Sequence, residues 1–253
     1  MSDRVGMSLT HSAYEKLRAD LLTGRLEPGE RLKINDLCDA LSVSLSAVRE
    51  ALSRLTSEGL VVTEPRRGFF AAPVSGPDLQ DLTDARVEIE GLCLRQSIAN
   101  GSIEWETAIV ASYHQLSRTP EPKPNDPRRH NNSDAWAAAH ATFHHALVGA
   151  CRNVWLLRVR DMLYVQSERY RHLSEAFSDS ARDVETEHRD IKDAVLARDA
   201  DRACALMADH FRLTAHLLLN GRLAPAINVT IGSNLPGRDR APARASRTRD
   251  DRT

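Results

Sequence analysis

The sequence predicts a mainly α-helical protein in two parts, an N-terminal helix-turn-helix followed by a short β-hairpin and a C-terminal all-α helical bundle. Apolar residues recur at helical spacing through most of the chain. A tight turn at Ser42 and Val43 separates two short helices, and two strand-like runs follow them. The 253 residues are enough for two domains, which we place at residues 1–75 and 78–220.

An amphipathic helix at residues 13–22 opens the N-terminal domain. Its apolar face carries Tyr14, Leu17 and Leu21. A Pro-Gly turn within residues 24–32 then redirects the chain towards the helix-turn-helix.

The helix-turn-helix pairs residues 34–41 with a second helix, for which Ser46 is the predicted N-cap and Gly59 the predicted stop. The apolar face of this second helix consists of Val48, Ala51, Leu52 and Leu55. The opposite face carries Ser46, Arg49, Glu50 and Arg54. A helix-turn-helix presents the start of its second helix to DNA base edges, and an ordinary helical hairpin is the alternative for this segment taken alone.

Residues 60–72 predict two short strands around a turn at Pro65 to Gly68. Arg66 and Arg67 fall at the tip of this hairpin. The hairpin is therefore a candidate wing, with two cations available for phosphate or minor-groove contact.

Residues 10–75 resemble the winged helix-turn-helix of the GntR family of bacterial transcription regulators. The matching blocks are Gly24-x-Leu-x-Pro-Gly-x-x-Leu32, Val43-Ser44, Val48-Arg-Glu-Ala-Leu52, Gly59-Leu-Val61 and Arg67-Gly68. The resemblance implies that Arg49 contacts a base or a phosphate of double-stranded DNA. It also implies phosphate contacts for Ser44 and Ser46. The implied wing tip comprises Arg66, Arg67 and Gly68.

Three positions depart from the family pattern. Leu45 and Ala47 stand where the family usually has Arg and Pro, and Asn35 stands where Arg is frequent. An Arg that reads guanine bidentately contributes about 1–3 kcal/mol of discrimination. We therefore expect Leu45 to lie at the DNA. The loss of two basic contacts should weaken operator binding, alter the preferred operator, or both.

Composition limits where positive charge can act. The formal net charge is −1, and residues 1–75 carry as many acidic as basic side chains, so DNA contact requires local placement of cations. The four Cys lack CxxC spacing and predict buried thiols in a reducing compartment. With neither a signal peptide nor a long apolar run, the sequence predicts a cytoplasmic protein without membrane association.

The C-terminal domain reads as six helices, at residues 79–100, 103–116, 135–151, 154–173, 178–198 and 200–220. A Pro-rich polar loop that we expect to be mobile separates the second and third helices at residues 119–133. The Arg-, Pro- and Ala-rich tail at residues 221–253 is predicted to be disordered.

The candidate metal ligands of this domain are histidines. His140 and His144 are four residues apart on one helix, a spacing that suits two ligands of one metal ion. His188 and His210 lie on two further helices that can converge on the same cavity. Two incidental histidines on one helix are the alternative for the first pair.

Residues 78–220 resemble the FCD ligand-binding domain of the FadR-like branch of GntR regulators. The matching residues are Asp84-Ala-Arg86, Glu90, Phe143-His144, Glu187-His188 and Ala203-x-x-x-Met207-x-x-His210. The resemblance implies a divalent metal ion bound by a carboxylate and three histidines, here His144, His188 and His210. His140 occupies the carboxylate position, either as a fourth imidazole ligand or as a bystander.

An all-imidazole site favours Zn²⁺ or Ni²⁺ over Mg²⁺ or Ca²⁺ and leaves the metal charge uncompensated. We expect the site to attract a small carboxylate effector. Arg86 matches a family position facing the cavity and can pair with that carboxylate, whereas an ion pair with Glu90 is its alternative role.

The sequence therefore predicts a homodimeric transcription regulator, a repressor that its effector releases from an operator. One alternative is a metal-dependent helical-bundle enzyme, but Glu185-x-x-His188 is a single motif where a di-iron bundle needs a pair. Another is a regulator with degenerate metal binding or operator reading, suggested by Asn35, Leu45 and His140.

Overall fold

The structure, a computed structural model, describes residues 9–121, 129–174 and 182–220. The predicted disordered tail and residues 122–128 of the predicted mobile loop lie outside these residues. Residues 129–133 of that loop are helical, a correction to the prediction. The N-terminal part contains α1 (Leu9–Leu22), β1 (Arg31–Leu32), α2 (Ile34–Leu41), α3 (Leu45–Ser57), β2 (Val61–Glu64) and β3 (Gly68–Ala71). The C-terminal part contains α4 (Gly76–Asn100), α5 (Ile103–Arg118), α6 (Arg129–Leu147), α7 (Val154–Ser174), α8 (Val184–Leu196) and α9 (Ala200–Asn220).

The turn between α2 and α3 corrects one prediction. Ser44, with extended backbone, caps α3 by accepting a 3.3 Å hydrogen bond from the Ala47 amide. Ser46, the predicted cap, lies inside the first turn, and its hydroxyl is 2.9 Å from that of Ser44. The left-handed conformation of Ser42 (φ 53°) ends α2 directly after Leu41. The second helix therefore begins at Leu45, earlier than the predicted cap Ser46 implied.

The wing belongs to a three-stranded antiparallel sheet in the order β1-β3-β2. The predicted hairpin of β2 and β3 forms, with Glu64 opposite Gly68. The sequence did not predict β1, because two residues are too few to show strand periodicity. Leu32, which is 3% exposed, brings β1 onto the core under β3.

One apolar core holds the helix-turn-helix and the sheet together. Its buried members include Leu17, Val48, Leu52, Leu55, Leu60 and Val61. Arg54, read as an exposed residue of α3, has its guanidinium 3.7 Å from the centre of the Tyr14 ring and so ties α3 to α1. Because the core uses the inner face of α3, the opposite face stays exposed.

The six C-terminal helices pack into a bundle in which α4 contacts both α7 and α9. Its largest core cluster includes Leu94, Ile109, Phe143, Leu147, Ile191 and Met207. The helix α9 ends where predicted, and α8 begins at Val184, capped by the Asp183 side chain. Within the described ranges, no helix is long and apolar enough to cross a membrane.

The helix α7 joins the two parts of the molecule. Gln166 Nε2 donates a 2.6 Å hydrogen bond to the Glu58 carbonyl at the end of α3. Arg169, which is 8% exposed, donates to the Pro73 carbonyl at 3.0 Å and also to the Ala72 carbonyl. The segment between β3 and α4 is therefore held directly by a helix of the bundle.

Candidate functional site

Three helices bring four histidines together inside the bundle. His140 and His144 come from α6, His188 from α8 and His210 from α9. Each imidazole offers one ligand atom, and these atoms all lie within 4.8 Å of one another. His140 Nε2 is 3.1 Å from His144 Nε2, so both rings direct the same kind of nitrogen towards one point. The spacing of four residues on α6 produces this arrangement, as the sequence predicted.

The cluster is buried and uncharged. The four side chains are between 1% and 8% exposed. Burial, reinforced by the neighbouring imidazoles, holds the pKa values of His140 and His144 well below the ordinary value. Burial acts in the same direction on the pKa of His188. Neutral imidazoles are the form that binds a metal ion.

The donor set fits a divalent metal ion. His140 Nδ1, His144 Nδ1 and His188 Nε2 are buried and have no hydrogen-bond partner among the described residues. Buried polar atoms are rarely left unsatisfied without a functional reason. Four buried imidazoles whose ligand atoms lie within 4.8 Å of one another are a donor set that suits a divalent metal ion.

A carboxylate that the sequence reading missed supports the cluster. Glu187 Oε2 lies 2.7 Å from His210 Nδ1, and Arg182 Nε donates to Glu187 Oε1 at 2.8 Å. Although burial opposes ionisation of Glu187, hydrogen bonds from Arg182 and His210 lower its pKa to about 2. The family pattern already included Glu187-His188, but neither that match nor the adjacency of Glu187 to a predicted ligand indicated a role for it.

Arg86 lies beside the cluster, on α4. The side chain is half-buried, its guanidinium stacks 3.9 Å from the centre of the Phe211 ring, and its buried Nε has no hydrogen-bond partner among the described residues. Burial lowers the pKa of Arg86. Glu90, the alternative partner predicted for it, instead accepts a bidentate ion pair from Arg160, with an Nε–Oε2 distance of 3.0 Å. Arg86 is thus available to an anion that enters beside the histidines.

A second unsatisfied donor lies next to Arg86. The hydroxyl of Tyr164 on α7 is buried without a hydrogen-bond partner in the described part of the chain, and burial raises its pKa. The Arg86 guanidinium is 5.8 Å from the centre of the Tyr164 ring. On the other side of the cluster, a cavity of about 450 Å³ between α5, α6 and α8 is lined by His188 and Trp136. The described cavity therefore reaches the cluster at His188.

The predicted nucleic-acid contacts gather on one surface of the N-terminal part. Ser44, Ser46 and Arg49 are exposed at the start of α3, and Leu45 beside them is 45% exposed.

The wing tip presents the other predicted contacts. Arg66, Arg67 and Gly68 are all exposed, and Arg66 and Gly68 adopt positive φ values of 65° and 96° to close the turn. Arg67 is ion-paired with Glu64 on the same hairpin. Exposed ion pairs of this kind contribute little energy, so this pairing leaves the cation accessible to a phosphate.

The structure thus separates the predicted residues into two groups. One comprises Ser44, Leu45, Ser46, Arg49, Arg66, Arg67 and Gly68 on the surface. The other comprises Arg86, His140, His144, His188 and His210 inside the bundle. His145, next to His144 on α6, lies outside the cluster and contacts Arg160.

Two family descriptions match the chain. Residues 9–71 match the bacterial regulatory proteins of the gntR family, and residues 81–213 match the FCD domain. The structure is similar to that of McbR/YncC of E. coli, with a TM-score of 0.67 at 20% sequence identity, covering 84% of this chain and 98% of that chain. That likeness concerns the fold.

Two relatives are similar over most of their length. The uncharacterized HTH-type transcriptional regulator BphR of Paraburkholderia xenovorans (strain LB400) is 43% identical over 203 residues, 80% of this chain and 82% of BphR. The HTH-type transcriptional repressor GlaR of Escherichia coli (strain K12) is 32% identical over 201 residues, 78% of this chain and 90% of GlaR. Both relatives are transcription regulators by name.

Proposed function

Because the chain belongs to the GntR family of transcription regulators and carries an FCD domain, a class of DNA-binding regulators and not of enzymes, we propose that it is a metal-dependent repressor that a small carboxylate releases from its operator. The observation that carries the proposal is a buried four-histidine cluster in a bundle whose helix α7 also contacts the DNA-binding part. Residues 1–75 read the operator and residues 78–220 bind metal and effector.

DNA recognition rests on the exposed start of α3. Arg49 reads a base edge or a phosphate, Ser44 and Ser46 contact backbone phosphates, and the wing tip supports them. A homodimer in the cytoplasm places two such helices on the half-sites of an inverted repeat. GlaR, a relative of similar length, is named as a repressor, which supports the direction of regulation.

The metal ligands in this proposal are His144, His188 and His210, with His140 as a fourth. The 3.1 Å approach of the His140 and His144 Nε2 atoms supports the inclusion of His140. Imidazole donors favour zinc or nickel over harder ions. When bound, the ion supplies Lewis acidity and a net positive charge that attracts a carboxylate.

The carboxylate effector is oriented by the protein itself. Arg86 has a buried Nε without a partner among the described residues and sits on the face of Phe211, so its guanidinium is held in place before a ligand arrives. A guanidinium pairs with a carboxylate bidentately. The unsatisfied Tyr164 hydroxyl beside it can donate a further hydrogen bond to the same ligand.

The helix α7 carries the response to the DNA-binding part. Tyr164 faces the effector side of the cluster, and Gln166 and Arg169, within the next two turns, bond Glu58, Ala72 and Pro73. A ligand that moves Tyr164 therefore moves the residues that hold the end of α3 and the linker. Couplings of this kind typically amount to about 1–3 kcal/mol.

Selection of genomic DNA fragments by the purified protein, with metal content measured on the same sample, tests the proposed function. We expect enrichment of a short inverted repeat by protein that contains zinc or nickel. Enrichment by protein that contains no metal would show that operator binding does not depend on a metal ion. Bound metal without enrichment would indicate degenerate operator reading or a different, metal-dependent role.

The substitution Arg49→Ala is expected to weaken binding to the selected repeat by at least about fivefold, since one lost base contact costs about 1–3 kcal/mol. Fluorescence anisotropy with labelled DNA measures the dissociation constant. The matched control is Arg18→Ala, because Arg18 lies on α1 and bonds Glu58 away from the α3 start. An unchanged constant in the Arg49 variant would place this side chain off the DNA.

The substitution Arg169→Ala is expected to make operator affinity independent of the C-terminal site, because it removes the hydrogen bonds to Ala72 and Pro73. Operator dissociation constants are compared for zinc-loaded and metal-free protein. The wild type should show a difference of about 5- to 150-fold, and the variant should show almost none. Arg158→Ala, an exposed change on the same helix, serves as control. If the variant keeps the wild-type difference between zinc-loaded and metal-free protein, Arg169 does not link the C-terminal site to operator affinity.

A further inference from the structure

We infer that Glu187 is a positioning residue of the metal centre, fixing the tautomer of His210 and supplying the negative charge that the four imidazoles lack. The inference rests on the proposed metal site. It follows from one hydrogen bond, the 2.7 Å contact between Glu187 Oε2 and His210 Nδ1.

The hydrogen bond decides which nitrogen of His210 can bind a metal ion. An ionised carboxylate only accepts hydrogen bonds, and its 2.7 Å contact is shorter than the 3.2 Å approach of Arg182 Nη2 to the same nitrogen. We therefore place the proton on His210 Nδ1. The lone pair is therefore on Nε2, the nitrogen left for coordination. A carboxylate behind a metal-binding imidazole also increases the basicity of the ring and holds its orientation.

Arg182 holds the Glu187 carboxylate in this position. It donates to both carboxylate oxygens, from Nε to Oε1 at 2.8 Å and from Nη2 to Oε2 at 2.6 Å. The same guanidinium donates to Thr214 Oγ1 at 2.9 Å and to the His210 carbonyl at 3.2 Å. Arg182 thereby locks the start of α8 to α9, and Glu187 is fixed against His210 from two sides.

The charge of the site makes this support important. All four candidate ligands in the cluster are histidines, so the ligands themselves contribute no negative charge. Arg86 is a further cation beside the cluster. His140 Nδ1, His144 Nδ1 and His188 Nε2 lack hydrogen-bond partners among the described residues, so the Glu187–His210 pair supplies a carboxylate that those three atoms do not have.

The test compares zinc affinity in Glu187→Gln with the wild type, by competition against a chromophoric chelator. Glutamine keeps the size and a hydrogen-bond acceptor but removes the charge. We expect the dissociation constant for zinc to rise about 10- to 100-fold. Thermal unfolding of the metal-free proteins should differ little, which separates a role at the metal from a role in the fold.

A second readout and a control complete the test. The absorption bands of bound Co²⁺ should shift in Glu187→Gln, because the donor strength of His210 changes. Glu185→Gln, an exposed change on the same helix, should keep wild-type affinity and spectrum. Unchanged zinc affinity in Glu187→Gln would overturn the inference while leaving the metal site intact. Failure of the wild type itself to bind zinc would overturn the metal site and the inference together.

Discussion

Replacing both His144 and His188 with alanine is expected to reduce bound zinc from about one ion per chain to none, since removal of two of four ligands destroys the site. The metal should then no longer raise the unfolding temperature. In the wild type, zinc at about a thousand times its dissociation constant contributes about 4 kcal/mol to stability. Metal analysis and thermal unfolding, each with and without added zinc, measure both effects.

His145→Ala is the matched control for this double variant, because His145 neighbours His144 on α6 but lies outside the cluster and contacts Arg160. It should retain bound zinc. The stability of the metal-free double variant shows how much of any loss comes from packing alone. Full zinc occupancy in the double variant would disprove the assignment of the metal site. Operator binding at the level of the metal-free wild type is expected to persist. The helix α3 packs through its apolar face on a core separate from the bundle, and this leaves its other face exposed.

Local patterns predicted the helices well because long apolar periodicities are visible in the sequence alone. The range of α2 and the end of α9 are as expected, and both helices present strong apolar faces. The errors occurred where a few residues decide the outcome. Ser44 and Ser46 are both good caps, and the left-handed turn at Ser42 selects Ser44. The strand β1 forms only because β3 is beside it.

The clustered histidines were predictable, but the residues that support them were not. His140 and His144 share a helix face by spacing alone, and the family pattern added His188 and His210. The partner of His210 comes from a residue adjacent to another ligand, and its own partner, Arg182, precedes α8 by one residue beyond its cap. Such contacts depend on how α8 packs against α9, which no local pattern encodes.

Arg86 illustrates how tertiary packing chooses between two local alternatives. Glu90 lies one turn from Arg86 on the same helix, a favourable spacing for an ion pair. In the folded bundle, Arg160 of α7 reaches Glu90 from 70 residues away and takes both carboxylate oxygens. Burial favours the bidentate pair, and Arg86 is left facing the histidines. The availability of Arg86 to an effector thus depends on Arg160.

The substitution Arg160→Met is accordingly expected to destabilise the protein by about 3–5 kcal/mol, because it leaves the Glu90 carboxylate buried without its partner. The two side chains are 1% and 2% exposed. Chemical denaturation of metal-free protein measures the free energy of unfolding. Glu90 would then be free to pair with Arg86 one turn away, so any release of the operator complex by a carboxylate effector should weaken as well.

The double variant Arg160→Met with Glu90→Leu separates the lost ion pair from lost packing. Replacing both partners with apolar side chains removes the uncompensated charge, so most of the lost stability should return. Arg158→Met, exposed on the same helix, should change the free energy of unfolding by less than about 0.5 kcal/mol. A double variant as unstable as Arg160→Met would show that the guanidinium matters through its contacts with Asp161 and His145 instead. In that case the ion pair between Arg160 and Glu90 would not explain why Arg86 is available to an effector.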